Sequence, residues 1–264
     1  MVPQGDGLHQ IPVLVMKESS LYNGDCSEVL DRLAGQSVVA DCVITDLPYY
    51  KVVSDDFDNQ WNTPDEYLDW VRDVLVKVDS VAKDNANIIL FASRQMMRQI
   101  SNIAIDEIEW TDVRTIIWAR KRGFNNTRGR ALASGYEPIL HFCKGDGGTF
   151  NSIKVNVESA RPEYTRGTLK DGVTLSDVWA DIPALPHNSK EKVAHPTQKP
   201  VRLMERIVSL YSNPDDLVLD FCMGSGSTGV ACSRLGRRFI GIEKDGGYYE
   251  IARQRMEDEA SGLF

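Results

Sequence analysis

Hydrophobic positions along this chain keep two alternating rhythms. Continuous apolar runs at 38–45, 87–91, 113–118, 138–142 and 217–219 have the length of buried strands. Between them apolar residues recur at helical spacing: Val29, Leu30 and Leu33; Tyr67, Leu68, Val71, Val74, Leu75 and Val78; residues 93–105; and Leu203, Ile207, Val208 and Tyr211. Thr63-Pro64-Asp65-Glu66 opens the second of these helices, because Thr63 can cap, Pro64 fits the first turn and Glu66 completes a capping box. A helix from Val230 to Leu235, closed by Gly236, a strand at 238–242 and a helix over 248–256 are expected near the end, and one short strand at 11–16 near the start. The run at 138–142 reads as the hairpin-like neighbour of 113–118. Over 145–192 periodicity collapses into Gly, Pro, Asn and Thr, which reads as a loop-rich insertion with short strands at 153–155 and 173–179. Strands alternating with helices predict an α/β domain with a mostly parallel, doubly wound sheet.

Composition changes this picture little. The 264 residues, 42% hydrophobic and 26% charged, suit a single domain over 1–264 with a modest insertion. No apolar stretch approaches the roughly 20 residues of a membrane span, and the polar residues 1–10 hold no signal core, so no membrane partner is expected. Five cysteines are scattered without a C-x-x-C pair, which argues against a metal site and for a reducing, cytoplasmic setting. Charge is more informative. The net charge is −8, yet residues 114–170 hold eleven Lys/Arg against four Asp/Glu, a local +7 that leaves −15 for the rest. A basic middle in an acidic protein reads either as a phosphate-contacting face or as a solvated basic surface.

Candidate chemistry gathers at two strand ends. The run 217–219 ends on Asp220 and breaks into Gly224-Ser225-Gly226-Ser227-Thr228-Gly229, a G-x-G-x-x-G loop before a helix. The next strand ends on Glu243, nineteen residues beyond Gly224, at the distance of an acid that binds a ribose. Asp220 would repel a dinucleotide pyrophosphate but not a sulfonium, and the loop hydroxyls can bind a carboxylate with backbone N–H groups. S-adenosylmethionine therefore fits better than NAD, with an incidental glycine-rich turn as the plain alternative. The second site is Asp46-Leu47-Pro48-Tyr49. Its carboxylate and the Leu47 carbonyl can accept hydrogen bonds from an exocyclic amine, and Tyr49 can stack on a flat heterocycle. Alternatively this is a strand-ending turn with Tyr49 in the core.

Together these motifs resemble the β class of DNA N6-adenine/N4-cytosine amino-methyltransferases. The order is the family's: Asp46-x-Pro48-Tyr49, a variable region, then His195-Pro196-Thr197-Gln198-Lys199-Pro200 leading into the glycine loop. Gly24-Asp25-Cys26, residues 136–142 (YEPILHF) and residues 235–238 (LGRR) add to a similarity that spans about 21–256. The resemblance implies a Rossmann-like S-adenosylmethionine-dependent methyltransferase fold with one antiparallel strand and circularly permuted motif order. It implies that Asp46 and the Leu47 carbonyl hold the target amine, with Tyr49 stacked on a flipped base. Asp25, beside Cys26, would bind the cofactor adenine and Glu243 its ribose. His195, Thr197, Lys199, Asp220, Gly224, Ser225, Gly226, Ser227 and Thr228 would surround its methionine end.

Two positions depart from the family pattern. Leu47 replaces a second proline, which removes one φ constraint from the turn, and Asp220-Phe221-Cys222 stands for Asp-Pro-Phe. Asp rather than Ser at 46 favours adenine N6; N4-cytosine or RNA are the alternatives. Double-stranded DNA is the implied partner, with a homodimer and a cognate restriction endonuclease as further candidates. Residues 145–192 would read the target sequence, while Arg120, Lys121, Arg122, Arg128 and Arg130 contact phosphates. Lys51 to Trp61 would close over the flipped base.

Overall fold

Apolar runs that lack a polar face lie mid-sheet, covered on both sides. The computed structural model describes residues 13–16, 19–52, 58–124, 132–155 and 173–262. Its elements are β1 (Val13–Met16), β2 (Ser19–Asn23), α1 (Cys26–Gly35), β3 (Ala40–Asp46), α2 (Pro64–Val81), β4 (Ala82–Phe91) and α3 (Met97–Asn102), which continues as a π turn (Ile103–Glu107). Then come β5 (Thr111–Phe124), β6 (Ser134–Cys143), β7 (Lys154–Val155), β8 (Val173–Thr174), β9 (Val178–Trp179), α4 (Val201–Tyr211), β10 (Leu217–Asp220), α5 (Ser227–Leu235), β11 (Arg238–Glu243) and α6 (Gly246–Ala260).

Among the described residues nine strands form one sheet in the order β1-β2-β11-β10-β3-β4-β6-β5-β9, and β7 pairs with β8 apart from it. The strands β2, β11, β10, β3 and β4 are mutually parallel. β6 runs against β4 and β5, as its hairpin-like relation to β5 predicted. A second reversed strand, β1, lies at the edge against β2. Period-two alternation divides the core. Val43, Ile88, Leu90 and Leu219 face α1, α2 and α3, whereas Cys42, Ile44, Ile89, Phe91 and Val218 face α4, α5 and α6.

Local chemistry sets the helix ends. Thr63 caps α2 by accepting from the Glu66 N–H at 3.2 Å, a bond worth about 1 kcal/mol. Glu66 reaches back one residue further than a capping box requires, to the Asn62 N–H at 2.8 Å. The helix expected over 93–105 is displaced. It starts at Met97, and the Ile108 N–H bonds back five residues to Ile103, letting Trp110 enter the core. β9 joins the main sheet beside β5, so the C-terminal part of the expected insertion is fastened to the domain: Trp118 Nε1 donates to the Ile182 carbonyl at 2.7 Å, and Arg206 holds Asp181 through two hydrogen bonds.

Candidate active site

Four parallel neighbours deliver acids to one edge of the sheet. β3 ends on Asp46, β10 on Asp220 and β11 on Glu243, and Asp25 follows β2. The crossover from β10 leads through α5 to β11 on one side, while that from β3 leads through α2 to β4 on the other. The order therefore reverses between β3 and β10, where open α/β sheets form their crevice. A cavity of about 500 Å³ opens there, lined among others by Asp25, Asp46, Tyr49, His195, Asp220 and Glu243. Cys26, Leu47, Pro48, Thr197, Lys199, Gly224, Ser225, Ser227 and Thr228 also border it, so nearly all the residues expected at the cofactor and catalytic sites meet in one space. Gly226 lies just behind, as the N-cap of α5.

The seam between the halves is hydrogen-bonded. Thr45 Oγ1 donates to Asp220 Oδ1 at 2.8 Å and accepts from the Cys222 N–H at 3.1 Å, while Thr228 Oγ1 donates to Asp220 Oδ2 at 2.6 Å. Burial still outweighs these donors and pushes the Asp220 carboxyl up to about 7. Ser227 gives its proton to the Lys199 carbonyl, whereas Ser225 Oγ accepts from Arg255 and keeps its own to donate. Two of the three loop hydroxyls thus hold the loop itself. Arg255 was not legible as a site residue. It bonds the Ser225 carbonyl at 2.6 Å and Ser227 Oγ at 3.2 Å from beneath.

Gly224 has φ +51°, and a Cβ there would stand 2.9 Å from His195 Nε2, so only glycine lets the loop and the imidazole approach this closely. The Gly224 N–H donates to Glu243 Oε2 at 2.9 Å, and Glu243 Oε1 accepts from the Asp245 N–H at 2.8 Å. Burial nevertheless raises the Glu243 carboxyl above its ordinary value. Burial, helped by Lys199, Lys192 and Arg255, pushes His195 down to about 3, leaving it neutral at pH 7. Asp25 Oδ1 caps α1 through the Ser27 N–H, and Oδ2 lies 3.1 Å from Lys244 Nζ.

The Asp46 turn is pinned more firmly than its sequence suggests. Asp58 takes the Tyr49 N–H with its carboxylate and the Lys51 N–H with its carbonyl, and the Leu47 N–H reaches the Phe91 carbonyl at 3.3 Å. These bonds supply the constraint that a proline at 47 would have given. Lys199 Nζ binds Asp46 Oδ2, lies 3.5 Å from Glu137 Oε2 and stands over the Tyr49 ring at 5.4 Å. The structure thus brings Lys199 to the Asp46 carboxylate. Asp46 Oδ1 is buried and has no hydrogen-bond partner within bonding distance among the described residues; the Tyr49 hydroxyl lies nearby and donates to Glu137 at 3.4 Å. Burial lifts the Asp46 carboxyl and Glu137 adds to the rise, while Lys199 and, more weakly, the Tyr49 hydroxyl oppose it. For Lys199, burial works against the charged form, but Asp46 and Glu137 outweigh it and keep the ammonium protonated.

Two residues expected to face nucleic acid are turned inward. Arg120 is 13% exposed and binds Glu137 at 2.6 Å, so its charge is spent inside the protein. Trp61 is 9% exposed, its ring 4.9 Å from both Tyr67 and Trp70, an aromatic cluster that seats α2. Lys51 folds back on the Asn62 carbonyl at 2.8 Å. Residues 53–57 between them, Arg128 and Arg130, and the side chains of Lys121 and Arg122 lie outside the described residues. No helix among the described residues is long and apolar enough to cross a membrane.

Known proteins resemble this chain in sequence and in fold. The profile of a DNA methylase family that spans N6- and N4-directed enzymes matches residues 40–254. The type II methyltransferase M.BglII of Bacillus subtilis is 29% identical over 258 residues, 91% of this chain and 69% of its own length. M.HpaI of Haemophilus parainfluenzae is 29% identical over 253 residues, 93% of this chain and 76% of its own length. The solved complex of M1.HpyAVI with S-adenosylmethionine matches with a TM-score of 0.68 at 27% identity, over 90% of this chain and 98% of that one. The cytosine-N4-specific PvuII DNA methyltransferase shares the fold, with a TM-score of 0.70 at 18% identity over 93% of this chain and 91% of its own.

Proposed function

Since the chain belongs to the N6/N4 DNA methylase family, we propose that this DNA methyltransferase acts on the exocyclic N6 of adenine in double-stranded DNA, using S-adenosylmethionine. The observation that carries the choice of chemistry is Asp46 Oδ1, a buried acceptor at the mouth of the crevice without a partner among the described residues. An exocyclic amine supplies the N–H it lacks. With Oδ1 and the Leu47 carbonyl each accepting one N–H hydrogen bond, the nitrogen lone pair turns out of conjugation and towards an electrophile. Tyr49 flanks the same space, where its ring can cover an extruded base.

The cavity fits the cofactor chemically. A positively charged group gains from Asp220, a ribose from Glu243, and a carboxylate from the Ser225 hydroxyl near the start of α5. Bound there, the cofactor supplies an electrophilic methyl; the protein's part is to orient the amine and exclude water. His195, neutral and closely packed, serves as a wall and not as a base. Asp at position 46 supports adenine over cytosine. In this reading the target sequence is met by residues 145–192, whose described C-terminal part is fixed beside β5.

The test is methyl transfer from labelled S-adenosylmethionine to unmethylated duplex DNA, followed by separation of the nucleosides. N6-methyladenine is expected. N4-methylcytosine would retain the chemistry of Asp46 and refute the adenine assignment, and label in RNA alone would refute the DNA reading.

A further inference from the structure

Asp46 belongs to a buried group of four charges that the sequence does not display as a unit. Because β6 runs against its neighbours, its start lies beside the carboxyl ends of β4 and β3, and Glu137 arrives at the edge that carries Asp46. Arg120, two residues past the Trp118 that pairs with Glu137, arrives with it. Lys199 comes from the far side, in the loop before α4. Its ammonium has three protons and three acceptors: Asp46 Oδ2, Glu137 Oε2 at 3.5 Å and the Thr197 carbonyl at 3.5 Å. The rings of Tyr49 and Phe91, 5.4 and 5.1 Å from Nζ, wall it in. Two carboxylates and two cations leave the group neutral overall.

This geometry matters because a carboxylate has two equivalent oxygens. An ammonium held by Asp46 alone could slide between them, and the amine would then compete with it. An ammonium drawn also towards Glu137 stays on Oδ2. We propose that Glu137, seated by Arg120, is a positioning residue for methyl transfer: it anchors Lys199 on one oxygen of Asp46 and so keeps the other open to the target amine. The inference rests on the role given to Asp46 above. Glu137 touches neither amine nor cofactor in this scheme; it acts through Lys199. The same arrangement keeps Lys199 protonated, since two carboxylates oppose the effect of burial.

A double-mutant cycle with the full-length enzyme tests the idea. Glu137→Gln should lower kcat at least tenfold while the Kd for S-adenosylmethionine, measured by calorimetry, stays within twofold. Lys199→Met should lower kcat further, and in that background Glu137→Gln should change kcat by less than twofold, because there is no ammonium left to place. Additive losses, an unchanged kcat in Glu137→Gln, or a fall in cofactor affinity matching the fall in kcat would each overturn the proposal. Should Glu137→Gln fail to fold, Glu137→Asp keeps the charge and withdraws it by one methylene, and the same cycle applies. A readout independent of turnover is the lysine ammonium ¹H–¹⁵N signal at pH 7. Wild type should show one slowly exchanging ammonium that disappears in Lys199→Met and exchanges rapidly in Glu137→Gln; unaltered slow exchange in Glu137→Gln would refute the anchoring. An inactive wild type that shows this ammonium and its loss would refute the methyltransferase reading and leave the anchoring intact.

Discussion

Gly224→Ala isolates the close approach on which the glycine loop is built. A left-handed φ of +51° costs an alanine about 1–2 kcal/mol. The new methyl would also stand 2.9 Å from His195 Nε2 and 3.3 Å from Cε1. The imidazole cannot turn away freely, because its other side packs edge-on against Tyr248 with ring centroids 4.5 Å apart. Overpacking of this kind adds about 1–3 kcal/mol. Gly236→Ala is the internal control, with φ +69° and no atom within 4 Å of the added carbon, so it meets the backbone penalty alone. Thermal unfolding should show Gly224→Ala less stable than Gly236→Ala by about 1–3 kcal/mol, or roughly 2–12 °C at this size. Calorimetry should show cofactor affinity falling at least tenfold for Gly224→Ala, because the displaced Gly224 N–H no longer holds Glu243, and staying within twofold for Gly236→Ala. In a His195→Ala background, Gly224→Ala should cost no more than Gly236→Ala does, because the imidazole it would meet is gone. Equal stability and equal affinity in the two glycine variants would refute the reasoning.

Three further outcomes follow from buried charge. Asp220, raised from 3.8 to about 7, contributes stability below its unfolded value that is lost as pH rises through 7. Relative to Asp220→Asn, the wild type should therefore lose up to about 4 kcal/mol between pH 4 and 7 in denaturant titrations; a flat difference would contradict a protonated native carboxyl. In the same variant, the preference for cationic S-adenosylmethionine over the uncharged thioether product should shrink, as read from the ratio of their Kd values at pH 8. Asp181→Ala strands the Arg206 guanidinium, which is only 8% exposed, and should destabilise the protein by about 3 kcal/mol without altering cofactor Kd. Unchanged unfolding would mean that the pair does not fasten β9.

The parts of this structure legible in the sequence are those where several local signals agree. β3 and β10 read as buried runs ending on acids, and α2 announced itself by its cap, its proline and its stripe. β2 did not, because only Leu21 and Tyr22 of its five residues are buried apolar side chains; its pairing with β11 makes it a strand. The glycine loop and Asp46 could be found because their chemistry depends on spacing along the chain. Glu137 could not, since its place depends on the reversed direction of β6, and a charge count assigned its partner Arg120 to phosphates. Trp61 misled for a similar reason: an aromatic in a polar stretch gives no sign that two other rings await it.

The bond from Thr45 to Asp220 closes over 175 positions of chain. At the roughly 5–20 residues per second of protein synthesis, about 9–35 s separate the emergence of its two ends. During that interval β3 has β4 on one side and nothing on the other, an open edge in the middle of the future sheet. A nascent chain in that state is a template for mispairing and a natural client for a chaperone. The same division suggests a use. Cutting between 155 and 173 would leave one fragment with Asp46 and Glu137 and another with Lys199 and the glycine loop. With the roles proposed for Asp46 and the glycine loop, neither would methylate alone, and activity on mixing would report that the two had met.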